Sequence, residues 1–295
     1  MGIRMRTAFA GLAVLAFTAG PVGLTQASMS KSLGYEKATK TRVFTLDPST
    51  AAPDDNPEGV AWDPGSESFF VGATGTGTIY RGRLDDRILH PFITPDPDAP
   101  ADSALGMKVA GGKLYVAGGP TGSIYVYRIK TGALLARFET GPDGFLNDLV
   151  VTRRGDVYVT DSFRPAIWHL TPAMVKAGGG TPEKVDVEPE VAHTAGQFNL
   201  NGIVSLRGGR ELIVINSVTR LLFRIDIDPR NVAARTITRI DAPDLGGEGD
   251  GLLLDRGRLL VVVNAPSQVA VLKLSRHDLR ARLDRMLTDP ALREP

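Results

Sequence analysis

The chain has 295 residues, no cysteine and a formal net charge of +1, from 34 Lys and Arg against 33 Asp and Glu. No cysteine means no disulfide, no thiolate nucleophile and no Cys-ligated zinc. The balanced charge, with no long basic run, argues against nucleic acid as a partner.

The opening MGIRMRTAFAGLAVLAFTAG has a basic start and an apolar run of about a dozen residues, too short to span a bilayer comfortably. It reads as a secretory signal over residues 1–27, cut after Ala27, with an uncleaved anchor as the alternative. A polar leader, residues 28–40, is expected to be mobile, and the mature protein to be secreted and free of the membrane. TRVFTL, residues 41–46, then alternates like a strand.

From Pro57 onward one pattern recurs: a strand, a Gly-containing turn, a second strand, a third and a weaker fourth. The strand pairs are PEGVAWDPGSESFFVGAT, ALGMKVAGGKLYVAGG, LNDLVVTRRGDVYVTDS, LNGIVSLRGGRELIVINS and GDGLLLDRGRLLVVVN. Third strands follow as GTIYRGRL, SIYVYRI, AIWHL, LLFRIDI and QVAVLKL. Four short antiparallel strands at a period of 42 to 54 residues are a propeller blade. A β-sandwich would also turn every ten residues or so, but it need not repeat in register.

The prediction is therefore an all-β propeller over residues 41–295, with blades near 57–95, 104–140, 145–194, 199–240 and 249–287. TRVFTL is expected to close the ring by pairing with the last blade. The Gly- and Pro-rich MVKAGGGTPEKVDVEPEV from Met174 reads as a surface loop. The tail after Leu274 offers either a fourth strand for blade five or a short helix, since Leu279, Leu283 and Met286 keep helical spacing. It holds no further strand pair.

In a propeller the first strand of each blade lines the central channel. The residues that begin those strands are Glu58, Leu105, Asn147, Asn201 and Asp250. Each alone could be a turn residue, with Gly59, Gly202 and Gly251 beside them as turn glycines. Together, two carboxylates and two carboxamides from four blades make an oxygen-donor cage. Such a cage suits a divalent cation, Ca²⁺ first, with Mg²⁺, Mn²⁺ or Zn²⁺ as alternatives.

Glu58 in PEGVAWDP, Asn147-Asp148 in FLNDLVVTRRGDVYVTDS, Asn201-Gly202 in LNGIVSL and Asp250-Gly251 in GDGLLLD resemble the senescence marker protein/gluconolactonase/luciferin-regenerating enzyme family. The likeness runs over roughly residues 41–275. It implies a six-bladed propeller with a divalent cation at the channel mouth and hydrolysis of sugar lactones or related esters. Glu58, Asn201 and Asp250 match the family's metal ligands, and Asn147 its substrate- or metal-facing Asn. Family lactonases commonly carry an Arg before the Asn-Asp pair, where this chain has Phe145 and Leu146, so a substrate-binding cation is expected to be missing.

If the site is catalytic, Asp250 or Glu248 of GGEGDG takes a proton from water attacking a cation-polarised carbonyl. His193 lies on the connection into Asn201 and is a candidate proton shuttle at the substrate site, although a surface histidine is the plainer reading. Asp161, Asn216 and Asn264 end second strands and are expected to satisfy turn backbone. Trp62 and Trp168 lie in apolar strands and read as packing. No GxSxG, HExxH or GxxxxGK[ST] occurs. A non-catalytic binding propeller, or a family member that has lost activity, is the competing function. Substrate, ion and oligomeric state stay open.

Overall fold

The structure, a computed structural model, describes residues 35–37, 42–53, 55–95, 103–265, 267–290 and 292. The 1–27 signal lies outside them. Two short strands come first, β1 (Tyr35–Lys37) and β2 (Thr45–Leu46). Five sheets follow. Blade one is β3 (Pro57–Asp63), β4 (Ser68–Ala73), β5 (Ile79–Arg83) and β6 (Ile88–Ile93). Blade two is β7 (Met107–Ala110), β8 (Lys113–Ala117), β9 (Ser123–Arg128) and β10 (Leu134–Glu139). Blade three is β11 (Leu146–Val151), β12 (Val157–Asp161), β13 (Ala166–Leu170) and, after helix α1 (Pro172–Ala177), β14 (Glu183–Asp186). Blade four is β15 (Leu200–Leu206), β16 (Glu211–Asn216), β17 (Leu221–Asp228) and β18 (Asn231–Arg239). Blade five is β19 (Gly249–Asp255), β20 (Arg258–Val263), β21 (Gln268–Leu274) and β22 (Ala281–Thr288).

The sequence of each strand follows its depth in the stack. Second strands packed between two neighbouring blades have no wet face, so SFFVGA of β4 is buried at every position and ELIVIN of β16 at all but one, whereas RLLVVV of β20 in blade five alternates between buried and partly exposed positions. Outer strands touch solvent on one side and alternate, as LLARFE of β10 does. Apolar clusters join consecutive blades through Phe70 and Met107, Tyr115 and Leu149, Tyr158 and Ile203, and Ile215 and Leu252.

The boundary between blades five and one differs. The cluster on that side of blade one, with Phe69, Val71 and Tyr80, is covered by Phe44 and Leu46 and holds no residue of blade five. The Phe44 and Phe69 rings meet edge to face at 4.8 Å.

Three expectations need adjusting. Within the 28–40 leader, Tyr35–Lys37 forms a strand that pairs in parallel with Met286–Thr288 of β22. In TRVFTL, Thr45 and Leu46 pair with Ile88 and Leu89 of blade one, not with the last blade. The segment from Met174 is no plain loop: it contains most of α1 and all of β14. Thr171 caps α1, its Oγ1 accepting from the Met174 N–H at 3.2 Å, and Gly178 ends the helix at φ 71°. Val185 of β14 is wholly buried and supplies the apolar anchor for blade three's fourth strand. The tail takes the strand option, as β22.

Candidate functional site

The paired residues that open the first strands sit in β-bulges. Register shifts between Pro57 and Val60, Leu146 and Leu149, Leu200 and Ile203, and Gly249 and Leu252 enclose 58–59, 147–148, 201–202 and 250–251. A bulge sets two residues against one and re-aims side chains, a device common beside functional sites. The glycines of the column are therefore not turn residues. A Cβ on Gly59 would overlap the Leu105 carbonyl, and one on Gly202 would stand 2.5 Å from the Leu252 nitrogen. Their absent side chains let successive first strands approach at the mouth. Blade three puts Asp148 in that column, and its Oδ2 accepts from the Ile203 N–H of blade four at 3.2 Å.

The structure draws together Glu58, Asp148, Asn201 and Asp250. Glu58 is open to water at the channel mouth but enclosed by its wall; burial first, then the Asp250 and Asp148 charges, push its carboxyl well above the usual range, against the pull of Lys108. Asp250 is also raised, by burial first and by the charges of Asp148 and Glu248, while Asn264 and Asn201 side chains bond to it and work the other way. An amide donates only through its nitrogen, so the bond to Asp250 does not use the Asn201 Oδ1.

Asn147 is 5% exposed, and its Nδ2 donates to Ser162 Oγ at 3.1 Å. Ser162 Oγ in turn donates to the Leu200 carbonyl at 2.6 Å. Thr160 Oγ1 accepts from Asp148 N–H at 3.1 Å and donates to the Asn201 carbonyl at 2.7 Å. Blades three and four are thus locked behind the site by hydroxyls.

Other predicted residues are less central. Glu248 precedes β19 and is exposed, yet its charge is felt at Asp250. His193 is half-buried and donates from Nε2 to the Phe163 carbonyl at 3.0 Å, a bond that fixes the connection above blade three. Asp161 serves backbone as expected, accepting from Phe145, Phe163 and Arg164 N–H groups. Asn216 does the same for Thr219. Asn264 departs from that column by bonding Asp250. Trp168 packs between blades two and three and donates to Asp161 at 3.0 Å.

A cation does stand at the mouth. Lys108 Nζ lies 3.3 Å from Asp148 Oδ1. It comes from blade two rather than from the residues before Asn147, and the sequence carries a signal for it: three positions after each slot the other blades have Ala61, Val150, Val204 and Leu253. Beside the polar mouth, Phe145, Phe163 and Phe198 meet in tilted and edge-to-face contacts with centroids 4.9 to 5.2 Å apart, and Phe198 is 48% exposed. They form an apolar wall that the sequence reading did not identify.

The side chains that converge suit a hard divalent cation: the carboxylates of Glu58, Asp148 and Asp250, mutually repelling, with the Asn201 amide beside Asp250 and, among the described residues, Lys108 as counter-charge, while Asn147 is held on Ser162. Among the described residues no group of three or more His, Asp and Glu stands close enough to hold an ion, so the amides would complete the shell.

No family model matches the chain, and no curated protein matches it. Solved structures do. A streptogramin B lyase superposes at TM-score 0.61 with 16% identity, covering 82% of this chain and 72% of that one. A luciferin-regenerating enzyme gives 0.58 at 14% identity over 80% of this chain and 77% of its own. A protein assigned as a gluconolactonase gives 0.57 at 16% identity over 78% of each chain. These identities speak to architecture: the chain has the β-propeller fold shared by the luciferin-regenerating enzyme and gluconolactonase structures.

Proposed function

We propose that the channel mouth binds a divalent cation, Ca²⁺ first, and hydrolyses a lactone or related ester in a secreted protein. The observation that carries this reading is the convergence of Glu58, Asp148 and Asp250 from three blades with Lys108 as their one close counter-charge among the described residues. Carboxylates crowded in an enclosed mouth repel one another unless a cation neutralises them.

Glu58, Asp250, Asn201 and Asn147 would hold the ion, which when bound supplies Lewis-acid polarisation of a carbonyl. The chain's own residues supply the rest. Asp250, whose carboxyl is raised above its ordinary value by burial and by the Asp148 and Glu248 charges, suits a base that takes a proton from the attacking water. Hydroxide adds to the acyl carbon, the ring C–O bond breaks, and the proton passes to the departing alkoxide. Glu248 is the second candidate for that proton. Lys108 offers its ammonium to charge developing on the acyl oxygen. Phe145, Phe163 and Phe198 exclude water and seat the carbon part of the substrate.

A non-catalytic binding propeller is favoured by one observation, the lack of a three-acid cluster among the described residues. One experiment separates the two. Thermal unfolding is followed with EDTA or with Ca²⁺, Mg²⁺, Mn²⁺ or Zn²⁺, in the parent, Glu58→Gln and Asp250→Asn, because an ion bound only by the folded form raises the midpoint. Stabilisation of the parent alone supports the site. Lactones are then screened with products weighed by mass, since hydrolysis adds a water and elimination does not. No shift with any ion in a well-folded parent overturns the metal site and the hydrolase built on it.

A further inference from the structure

At the end of the strands opposite the mouth, a cavity of about 710 Å³ opens between blades two and three. It is a separate place: β11 crosses from Leu146 at the mouth to Val151 at the cavity, about 17 Å of extended chain. Five cations line it, Lys113, Arg128, Arg153, Arg154 and Lys176, and no Asp or Glu does. None of the five forms an ion pair among the described residues. Some arginines elsewhere are matched, as Arg164 is to Asp161 at 2.6 Å and Arg258 to Asp284 at 3.1 Å, and others, such as Arg220 and Arg239, are not among the described residues; the cleft is distinguished by five cations lining one cavity with no acid among its lining residues.

The neighbouring acid is occupied. Asp156, 5% exposed, accepts from Thr152 Oγ1 at 3.3 Å and faces His169 Nε2 at 3.2 Å. The carboxyl end of α1 also lines the cavity, and its Met174 carbonyl is capped by the Gly178 and Gly179 N–H groups at 2.9 and 3.3 Å. Beneath the cations lies an apolar floor of Tyr115, Leu135, Val151 and Val175. The rim is low at the β7–β8 turn, where Gly111 and Gly112 take φ of 56° and 72° and a Cβ on either would meet nothing within 4 Å.

We propose that this cleft binds a small organic phosphate, its phosphoryl group held by Arg153, Arg154 and Lys113 and its carbon body resting on Tyr115 and Val151. The reasoning is by charge and size. Five unmatched cations repel one another, and a phosphate monoester brings roughly two negative charges and three acceptor oxygens to them. Arginine's planar fork suits those oxygens. The volume is that of a small-molecule site, and an apolar floor under a charged rim fits a ligand with both parts. A chain with net charge +1 lacks the extended basic field that a polynucleotide would need.

The test titrates the full chain by calorimetry with 1-naphthyl phosphate, 1-naphthol and inorganic phosphate at low salt. The expected result is 1-naphthyl phosphate binding at least tenfold more tightly than either part alone and weakening as salt rises. The exposed pair Arg153→Glu/Arg154→Glu should lose that binding by tenfold or more with its unfolding midpoint unchanged, while Arg239→Glu on blade four should keep it. Absence of binding at millimolar 1-naphthyl phosphate overturns the proposal. Equal binding by the Arg153→Glu/Arg154→Glu protein, or equal affinity for inorganic phosphate, overturns it too.

Discussion

Gly106 of blade two lies against Asp148 of blade three so closely that a Cβ at residue 106 would stand 2.5 Å from both the Asp148 Cα and its Oδ1. The contact places the carboxylate within reach of Lys108 and of the Ile203 N–H at once. Gly106→Ala must push the two strands apart. It should cost about 1–3 kcal/mol by denaturant unfolding, the range for overpacking, and should also weaken any cation response at the mouth. An unchanged midpoint would show that the strands can yield there.

Removing a repelling charge has the opposite sign. Without cation, Glu58→Gln should raise the unfolding midpoint by about 2–4 °C, corresponding to roughly 1 kcal/mol in a chain of this size, because Asp250 and Asp148 lose an uncompensated neighbour. With saturating cation the ranking should reverse, since only the parent gains binding free energy. Calorimetry with and without Ca²⁺ reads both.

Lys108→Met deletes the counter-charge of Asp148, which is 7% exposed. Stability without cation should fall by about 1–3 kcal/mol, the cost of stranding a mostly buried charge. Cation affinity should rise, because the mouth becomes more negative. A fall in both would mean that Lys108 mainly positions the site.

The propeller and its mouth were legible because a bulge recurs at the same register in four blades and leaves an acid or amide there each time. Glu58, Asn201 and Asp250 do converge, as their shared register implied. The Asn-Asp pair illustrates the limit: either residue looks like turn punctuation, and only the neighbouring strand reveals Asp148 as a bond across blades. Lys108 was readable against apolar residues at the same place in other blades, yet one lysine in one strand gives no period. The pairings of Tyr35–Lys37 and Thr45–Leu46 could not be read, since strands of three and two residues carry no pattern and their partners lie far along the chain or across a sheet. Glycine-rich sequence around Gly178 and Gly180 masked β14, whose only wholly buried residue is Val185 and which otherwise rests on its ladder with β13 and the His169–Glu183 contact.

His169 is fully buried, with Nδ1 2.9 Å from Glu183 Oε2, Nε2 3.2 Å from Asp156 Oδ1, and its ring stacked 4.7 Å from Tyr158. It ties β13 to β14 and to the turn that leads into β12. His169→Phe should cost about 2–4 kcal/mol by leaving Asp156 without a partner on that side, whereas Glu183→Gln, at a half-exposed position, should cost about 1 kcal/mol or less. Urea denaturation of the two proteins separates these magnitudes.

Acid should loosen two surface turns. Asp47 is held down to about 2 by the Ser49 hydroxyl and N–H and by His90, and Asp228 to about 2 by Arg230. Both carboxyls sit below their usual value near 3.8, so their contribution is complete above that value and is lost as pH falls toward 2. Asp228→Asn should flatten that part of the stability profile below pH 4 and leave neutral pH almost unchanged.

Gly251 adds a last point. Gly59 and Gly202 abut the next blade's backbone, but a Cβ on Gly251 would meet only Val262, at 3.7 Å. Among the described residues four apolar seams join consecutive blades and none joins blade five to blade one, where the N-terminal segment instead pairs with β22 through Tyr35–Lys37 and with β6 through Thr45–Leu46. Blades one and five are thus the two less firmly held ends of the series. Amide protection should therefore be graded, highest in blade three and lower toward blades one and five, with opening that starts at the ends and travels inward. The carboxylates at those ends, Glu58 and Asp250, would part first, so an ion held between them acts as a clasp on the whole molecule.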